Sequence, residues 1–294
     1  MRVGVIRILL AGALLLLMVS TFVRPGTDMN RLLLLLAAMA SALLPMTAAP
    51  HAQDLTGLDV TSEAFTKAEL TRGDIETALA ELKPGDVLDL SGKSLNGIDL
   101  SDMDLTRVKL QSARINRTAF RNAKLDGVSL DQAWALNSDF SNASLKGASL
   151  FATQFSGAKL DGANFTNARV AGDFSGASLT QAIFDGADLS ADEKNQSMGL
   201  MRASFKSAKL DGASFKGANL ARVMMEFASL READFEEADL RGSELAAADF
   251  AGANVKGANF DGADLNSARI GKMENTPAAV NLEKAKNLAQ AVRN

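Results

Sequence analysis

The side chains that most often do covalent or metal chemistry are nearly missing from this sequence, which has no Cys, no Tyr and a single His, His51. The lack of thiols removes disulfides, thiolate metal ligands and cysteine nucleophiles together. One imidazole, placed in a segment with the marks of a removable leader, cannot serve a hydrolytic triad or a zinc centre in the mature chain. What remains is Asp, Glu, Lys and Ser. Paired carboxylates act as general acid and base only where burial or neighbours drive their pKa values apart, and a run of acids can attract a basic partner or weakly hold a divalent cation. The densest run lies between Glu226 and Asp249, where Glu226, Glu232, Asp234, Glu236, Glu237, Asp239, Glu244 and Asp249 face only Arg231 and Arg241. The sequence therefore offers an acidic surface with two readings, a partner patch or a plain solvated face. It offers no catalytic, cofactor-binding or metal-ligating residues, no cofactor, and no glycine-rich strand-to-helix phosphate loop.

The elements that would carry these groups are set by a repeat. Of the 294 residues, 47% are hydrophobic and only 5% aromatic, which describes a core of small and medium side chains. Read in fives, the chain runs Ser-Asn-Ala-Ser-Leu145, Lys-Gly-Ala-Ser-Leu150, Asp-Gly-Ala-Asn-Phe165, Asp-Gly-Ala-Ser-Phe215, Lys-Gly-Ala-Asn-Leu220, Lys-Gly-Ala-Asn-Phe260 and Asp-Gly-Ala-Asp-Leu265. A large apolar residue returns at every fifth position, and most of the 15 Phe fall in that register. Two residues earlier stands Ala, as at Ala143, Ala163, Ala213 and Ala263, or Ser, Thr or Gly, as at Ser138, Thr118 and Gly172. Both positions must face inward, the small one because a second large side chain would overfill a close-packed interior. The structural core is thus expected to include Leu145, Leu150, Phe165, Phe215, Leu220, Phe260 and Leu265. A period of five matches neither a helix nor an ordinary strand, and fits a solenoid in which each unit makes one side and one turn.

This pattern resembles the pentapeptide-repeat family, whose unit is written Ala-(Asp/Asn)-Leu-x-x, over roughly residues 87–270. The resemblance implies an all-β solenoid, a right-handed quadrilateral β-helix with four units per coil and roughly nine coils. It also implies quinolone-resistance relatives that present an acidic rod to DNA gyrase, and relatives that dimerise through the far end of the helix.

The register slips twice. Val170 to Phe174 is one residue short, and a polar stretch at 190–199 without an inward pattern restores it as a loop. Solenoids need closed ends. Residues 53–86 are expected to form the N-terminal cap: Asp74 opens a short helical pattern through Ile75, Ala78, Leu79 and Leu82 that stops at Pro84-Gly85, over a first coil whose inward sites are the larger Leu88, Lys93, Ile98, Met103 and Val108. Residues 271–294 are expected to form a C-terminal capping helix, with Leu282, Ala285, Leu288 and Val292 on one face.

Apolar residues at outward positions are the other surface feature. Trp134, Leu136 and Phe151 fall there, with Ile183, Met224 and Phe227. They read either as anchors for a protein partner or as scattered surface groups of the ordinary kind.

Before the repeat, Leu32 to Leu44 is a short apolar run behind Met29-Asn30-Arg31 and ahead of small residues, the layout of a cleavable secretory signal at 29–52. Val3 to Val23 is long enough to span a bilayer and reads as an upstream extension within 1–28 or as an anchor. A membrane association is expected only if that anchor is retained. Removing residues 1–52 takes away four arginines and one aspartate, so the remainder is more acidic than the full chain's net −4, and nucleic acid is not an expected ligand. Together these features describe a non-catalytic, periplasmic or secreted scaffold or adaptor with an unidentified protein partner, or a homodimer. The alternative is a DNA-mimicking, gyrase-binding protein, against which the export signal speaks. The leader makes a first prediction: intact-mass analysis of the exported protein should give a species starting near Gln53, and a membrane-sedimenting species that retains Val3 to Val23 would establish the anchor instead.

Overall fold

In the computed structural model the chain divides into Met1–Ala49 and Pro50–Asn294, and the structure describes residues 62–191 and 202–293. Segments 1–28 and 29–52, and all of the 190–199 loop but Ser190 and Ala191, lie outside the described residues.

Each five-residue unit makes one flat side and one corner. At a corner the carbonyl of the large inward residue accepts from the amide three residues on, as from Ala143 to Phe140 and from Ala168 to Phe165, both at 2.9 Å. This is a β-turn, and its second central residue takes positive φ, 58° at Asn142 and 67° at Gly162. That is why Gly and short polar residues recur at this position. Residues twenty apart then pair in parallel, giving four columns of bridges. Face 1 starts with Leu88–Asp89 (β1) beside Val108–Lys109 (β2) and continues through Ser129, Ser149 and, higher up, Asp188, Asn219 and Asp239. Face 2 climbs through Ser94, Arg114, Trp134 and Gln154 to Ser204, Met224 and Glu244. Face 3 carries Asp99, Ala119 and Asp139, and face 4 carries Asp104, Lys124 and Ser144.

The inward columns fill the space. Leu145, Leu150, Phe165, Phe215, Leu220, Phe260 and Leu265 are completely buried, as are Ala143, Ala163, Ala213 and Ala263. Phenylalanines in one column stack face to face: Phe165–Phe184 at 4.7 Å, Phe184–Phe215 at 5.1 Å and Phe215–Phe235 at 5.0 Å between centroids. The spacing of hydrogen-bonded strands, ~4.8 Å, lies within the range of ring stacking, so the backbone ladder holds the rings in contact.

The short unit is absorbed between Ser149–Gln154 (β3) and Arg169–Asp173 (β4), where Phe151 pairs with Ala171 and Gln154 with Asp173. A Cβ on Gly172 would meet the Thr153 carbonyl oxygen at 2.7 Å, so the missing residue is accommodated only because Gly172 lets two backbones close together.

At the N-terminal end Glu63–Thr66 (α1) precedes Arg72–Glu81 (α2). The helix opens at Thr71, earlier than Asp74: Thr71 is the N-cap and Asp74, at the third helical position, closes a capping box by accepting from the Thr71 amide at 2.8 Å. Buried Ile75, with Leu70 and Leu79, packs on the core beside Leu88 and Ile98. Lys93 does not point inward. It is exposed, and its ammonium pairs with Glu69 at 3.2 Å, because a charge is more cheaply kept in water than buried.

The expected C-terminal helix is not formed. Thr276–Ala278, Leu282–Lys284 and Leu288–Gln290 are single 3-10 turns, each entered from an asparagine in the left-handed region, Asn275, Asn281 and Asn287. Between them Glu274, Val280, Lys286 and Val292 pair with Asn254, Asn259, Asp264 and Arg269. The segment is one more coil, built with six-residue sides. The helical spacing of its apolar residues arises because a six-residue period also brings Leu282 and Leu288, and Ala279, Ala285 and Ala291, to equivalent places. A coil satisfies the backbone groups left facing up by residues 253–270, which a helix would leave unpaired. The three asparagines tie it down by donating from Nδ2 to Asn254 at 2.8 Å, Asn259 at 3.1 Å and Asp264 at 2.8 Å.

Two expectations test this packing. Phe165→Asp and Ala163→Leu should each lower the melting temperature far more than Asn164→Asp, since overpacking costs ~1–3 kcal/mol and a buried unpaired charge more, whereas the outward Asn164 side chain uses its oxygen as an acceptor for Thr166, a role aspartate keeps. Gly172→Ala should be destabilising as well, although alanine is neither large nor polar. Equal melting temperatures would refute the inward and outward assignment.

Candidate partner surfaces

The acidic run wraps the coil instead of forming one patch. Asp234 lies on face 4, Glu236 and Glu237 on the next corner and Asp239 on face 1, while Glu232 occupies the corner before them. Cations from the same and neighbouring coils meet these acids. Lys216 stands 3.0 Å from Asp234 and 3.9 Å from Glu236, Lys256 is 2.6 Å from Glu236, and Arg241 is 2.6 Å from Asp239. Lys206 pairs with Glu226 at 2.9 Å and Arg202 with Glu244 at 2.8 Å, while Arg231 and Arg269 flank Asp249 at 3.3 and 3.5 Å. Exposed pairs of this kind stabilise by only ~0–1 kcal/mol, but they cancel much of the charge excess counted along the sequence. Among the described residues no group of three or more His, Asp or Glu is arranged to hold a metal ion.

Three aspartates, Asp139, Asp234 and Asp239, are held below the ordinary carboxylate value. Burial works to raise Asp239, but the Arg241 guanidinium and amide outweigh it and leave the carboxyl below its ordinary value. Asp234 is likewise pushed up by burial and lowered further by the Glu236 amide and Lys216; for Asp139 burial is outweighed by Ser141 and Arg121. A general acid at neutral pH needs a shift in the opposite direction.

Elsewhere the corner aspartates bind structure. Asp131 accepts from Ser149 Oγ at 2.6 Å and the Phe151 amide at 2.9 Å in the coil above, and Asp161 does the same with Ser178 at 2.6 Å and Thr180 at 2.9 Å.

The outward apolar residues separate into distinct sites. Trp134 on face 2, Leu136 at the following corner and Phe151 at the preceding corner one coil up belong to one region of the surface. Trp134 and Phe151 are half-buried. Leu136, expected on the surface, is buried at 8% exposure, and its amide donates to Asn116 Oδ1 at 3.0 Å. Met224 is half-buried higher on face 2, and Ile183 half-buried on face 4. Phe227 differs from all of these: it is 69% exposed and has φ of 60°. A left-handed conformation costs a non-glycine residue about 1–2 kcal/mol, so this phenylalanine is conformationally disfavoured and contributes little burial. Its signal in the sequence is an aromatic at a corner position that elsewhere holds Gly or small and polar residues such as Asn142, Gln132, Arg222 and Glu232, with the small Ser207 and Ala247 at the equivalent corners one coil away on either side.

Comparison with known proteins gives one family. Eight copies of the pentapeptide repeats model match within residues 89–122, 113–150, 136–167, 172–191, 200–236 and 228–266, more than half of the chain. A search of curated proteins found no match. Among solved structures, the chain is similar to HetL, a pentapeptide repeat protein involved in heterocyst differentiation regulation from the cyanobacterium Nostoc sp. strain PCC 7120, with 22% identity, 76% of this chain and 94% of that one covered, and a TM-score of 0.41. It is similar to full-length QnrB1, a plasmid-mediated fluoroquinolone resistance protein, at 20% identity over 68% and 92% of the two chains with a TM-score of 0.38. A pentapeptide repeat protein from the thylakoid lumen of Arabidopsis thaliana shares 35% identity over 33% of this chain and 64% of its own, with a TM-score of 0.24.

The lowered carboxylates fix a pH dependence. Asp99 and Asp104, through Ser101 and Thr106, join Asp139, Asp234 and Asp239 in having folded values below the unfolded ones. Their contribution is fully present above the ordinary aspartate value of about 3.9 and is lost as pH falls through the lowered folded values. The melting temperature should therefore be flat from neutral pH to about 5 and drop steeply below about 4. A fall beginning near neutrality would contradict this assignment.

Proposed function

Because the chain belongs to the pentapeptide-repeat family, whose fold is the right-handed quadrilateral β-helix, we propose that it is a non-catalytic, exported scaffold or adaptor that binds a protein of the cell envelope through its sides. On this reading the sides belong to roughly nine repeat coils and the terminal six-residue coil. The observation that carries the proposal is Phe227, an exposed aromatic kept in a disfavoured backbone conformation at a corner beside face 2. Aromatic residues concentrate binding energy at interfaces, and one on a rigid corner meets a partner without the cost of ordering its backbone. The signal-like segment 29–52 supports export to the periplasm or beyond. Membership of the pentapeptide-repeat family, whose proteins generally serve structural and interaction roles, supports a protein as the ligand.

Gyrase-directed DNA mimicry is the weaker reading, because mimicry of a duplex needs a continuous excess of negative charge, and Asp234, Glu236 and Asp239 in the densest run are each paired with a cation of their own or an adjacent coil. The test combines location and interface. Fractionation should find the mature protein outside the cytoplasm, supercoiling by gyrase should be unaffected by its addition, and Phe227→Ala should weaken capture of an envelope protein by about tenfold or more while Lys159→Ala on face 3 leaves it unchanged. Cytoplasmic location with inhibition of supercoiling at low protein concentration would replace the scaffold reading with mimicry.

A further inference from the structure

Five corners carry Asp followed by Gly, at Asp126, Asp161, Asp185, Asp211 and Asp261. In such a pair the glycine nitrogen can close a five-membered ring on the aspartate side chain, since glycine has no Cβ to obstruct the approach. Two conditions must hold: the carboxyl has to swing back toward its own chain, and the glycine amide has to leave its hydrogen bond. Four of the corners resist both. A serine one coil up, on the face that leads into the corner, holds each carboxylate: Ser144 Oγ donates to Asp126, Ser178 Oγ to Asp161 at 2.6 Å, Ser214 Oγ to Asp185 and Ser229 Oγ to Asp211. For the first three, the amide of Lys146, Thr180 or Lys216 donates to the same oxygen at 3.0, 2.9 and 3.2 Å. The amides of Gly127, Gly162, Gly186 and Gly212 donate to carbonyls one coil up at 2.8, 2.9, 2.8 and 2.7 Å.

Asp261 is held in neither way. The residue in the serine's place is Val280, which pairs with Asn259 and has no hydroxyl to offer. Asp261 is exposed where the other four are half-buried, and among the described residues nothing donates to its carboxylate or pairs with it. The Gly262 amide stands 3.4 Å from the Lys284 carbonyl, beyond the ordinary range of an N–H···O bond, where a six-residue side runs over a five-residue one.

We infer that Asp261–Gly262 is a site of spontaneous covalent modification, at which the chain acquires an isoaspartate, and that the serine clamp spares the other Asp-Gly corners. The Gly262 nitrogen gives up its proton and attacks the Asp261 carboxyl carbon. A C–N bond forms, a C–O bond of the carboxyl breaks, and the departing oxygen leaves as water, giving a succinimide. Water then adds to either ring carbonyl. Opening on the main-chain side breaks that carbonyl's bond to nitrogen and leaves Gly262 attached through the aspartate side chain. The water lost in the first step is regained in the second, and nothing is oxidised or reduced. The main chain is then one carbon longer at a corner directly beneath the terminal coil, and the turn at Leu282–Lys284 loses a support. The one Asn-Gly pair, Asn96–Gly97, reacts in the same way with loss of ammonia, but it is locked. Asn96 is 4% exposed, its Oδ1 accepts from the Asn116 amide at 2.9 Å, and the Gly97 amide donates to the Asn116 carbonyl at 2.9 Å. The inference is independent of the scaffold reading.

The test incubates the purified protein in heavy-oxygen water near neutral pH and reads its peptides by mass spectrometry with electron-transfer fragmentation, which separates isoaspartate from aspartate. Isoaspartate carrying one heavy oxygen should accumulate at Asp261 about tenfold or more faster than at each of the other four, the factor that one hydrogen bond of ordinary strength supplies, while Asn96 stays an amide. In denaturant the five sites should react at comparable rates, because their local sequences are nearly the same. Val280→Ser, at an exposed position, supplies the missing clamp and should slow Asp261; Ser229→Ala removes the clamp of Asp211 and should speed that site. Similar rates at all five corners of the folded protein would overturn the inference, as would an excess at Asp261 that persists in denaturant. Unchanged rates at Asp261 in Val280→Ser and at Asp211 in Ser229→Ala would remove the clamp as the cause.

Discussion

The parallel hydrogen bonding of residues twenty apart is the constraint on which everything else in this molecule depends. Once the backbone of each coil is bonded to the one below, the layer spacing is fixed near that of adjacent strands, and the interior receives one ring of side chains per layer. Only a combination of one large and one small inward residue per side fills that ring without strain, which is why Ala163 beside Phe165 is as much a packing requirement as the phenylalanine itself. Stacked rings from Phe165 to Phe235 follow from the spacing and not from any special aromatic pairing. The same constraint explains the tolerance for change outside: an outward side chain touches chiefly the residues one coil above and below, so its identity is free wherever the corner geometry allows.

The constraint also governs how the repeat is interrupted and finished. A side shortened by one residue survives where a glycine, Gly172, lets the chain pass close to the Thr153 carbonyl. At the upper end the ladder must be continued or covered, and here it is continued by longer sides whose corners begin with Asn275, Asn281 and Asn287. The α-helical pattern read from Leu282, Ala285, Leu288 and Val292 failed because apolar spacing alone does not distinguish a helix from a six-residue coil. The asparagines did carry the distinction. Their six-residue period, in step with Ala279, Ala285 and Ala291, marks three equivalent corners, and asparagine is among the few residues that readily adopt the left-handed region.

The core of the regular coils was legible, since inward positions such as Leu145, Phe215 and Leu265 are fixed by a local period, but in the first coil the same period counted the exposed Lys93 as inward. The surface was legible only in part. Lys216 and Lys256 lie twenty residues on either side of Glu236, so a window moved along the chain assigns the acids to an acidic band and never sees the cations that the coil brings beside them. Leu136 was read as an outward surface residue and is buried, because its burial depends on contacts that no five-residue pattern encodes. Phe227 was visible as an outward aromatic but did not stand out from Trp134 or Met224 until the backbone conformation and exposure were known.

A convex stack of this kind limits the chemistry it can perform. Catalytic groups need desolvation or close like charges to shift their pKa values toward neutrality, and here Asp139, Asp234 and Asp239 are moved the other way by hydrogen bonds and cations from their own coil and, for Asp139 and Asp234, from the adjacent one. The arrangement that neutralises the acids also rigidifies the faces, because each cross-coil pair joins layers already held by backbone bonds. Where cations offset the acids, a rigid face gains little from long-range attraction, which leaves contact specificity to the few side chains that project. The corner position is the place where a projecting residue is least constrained by packing and most constrained by backbone conformation. Placing a phenylalanine there, where glycine or asparagine would be easier for the fold, makes sense for recognition and works against stability.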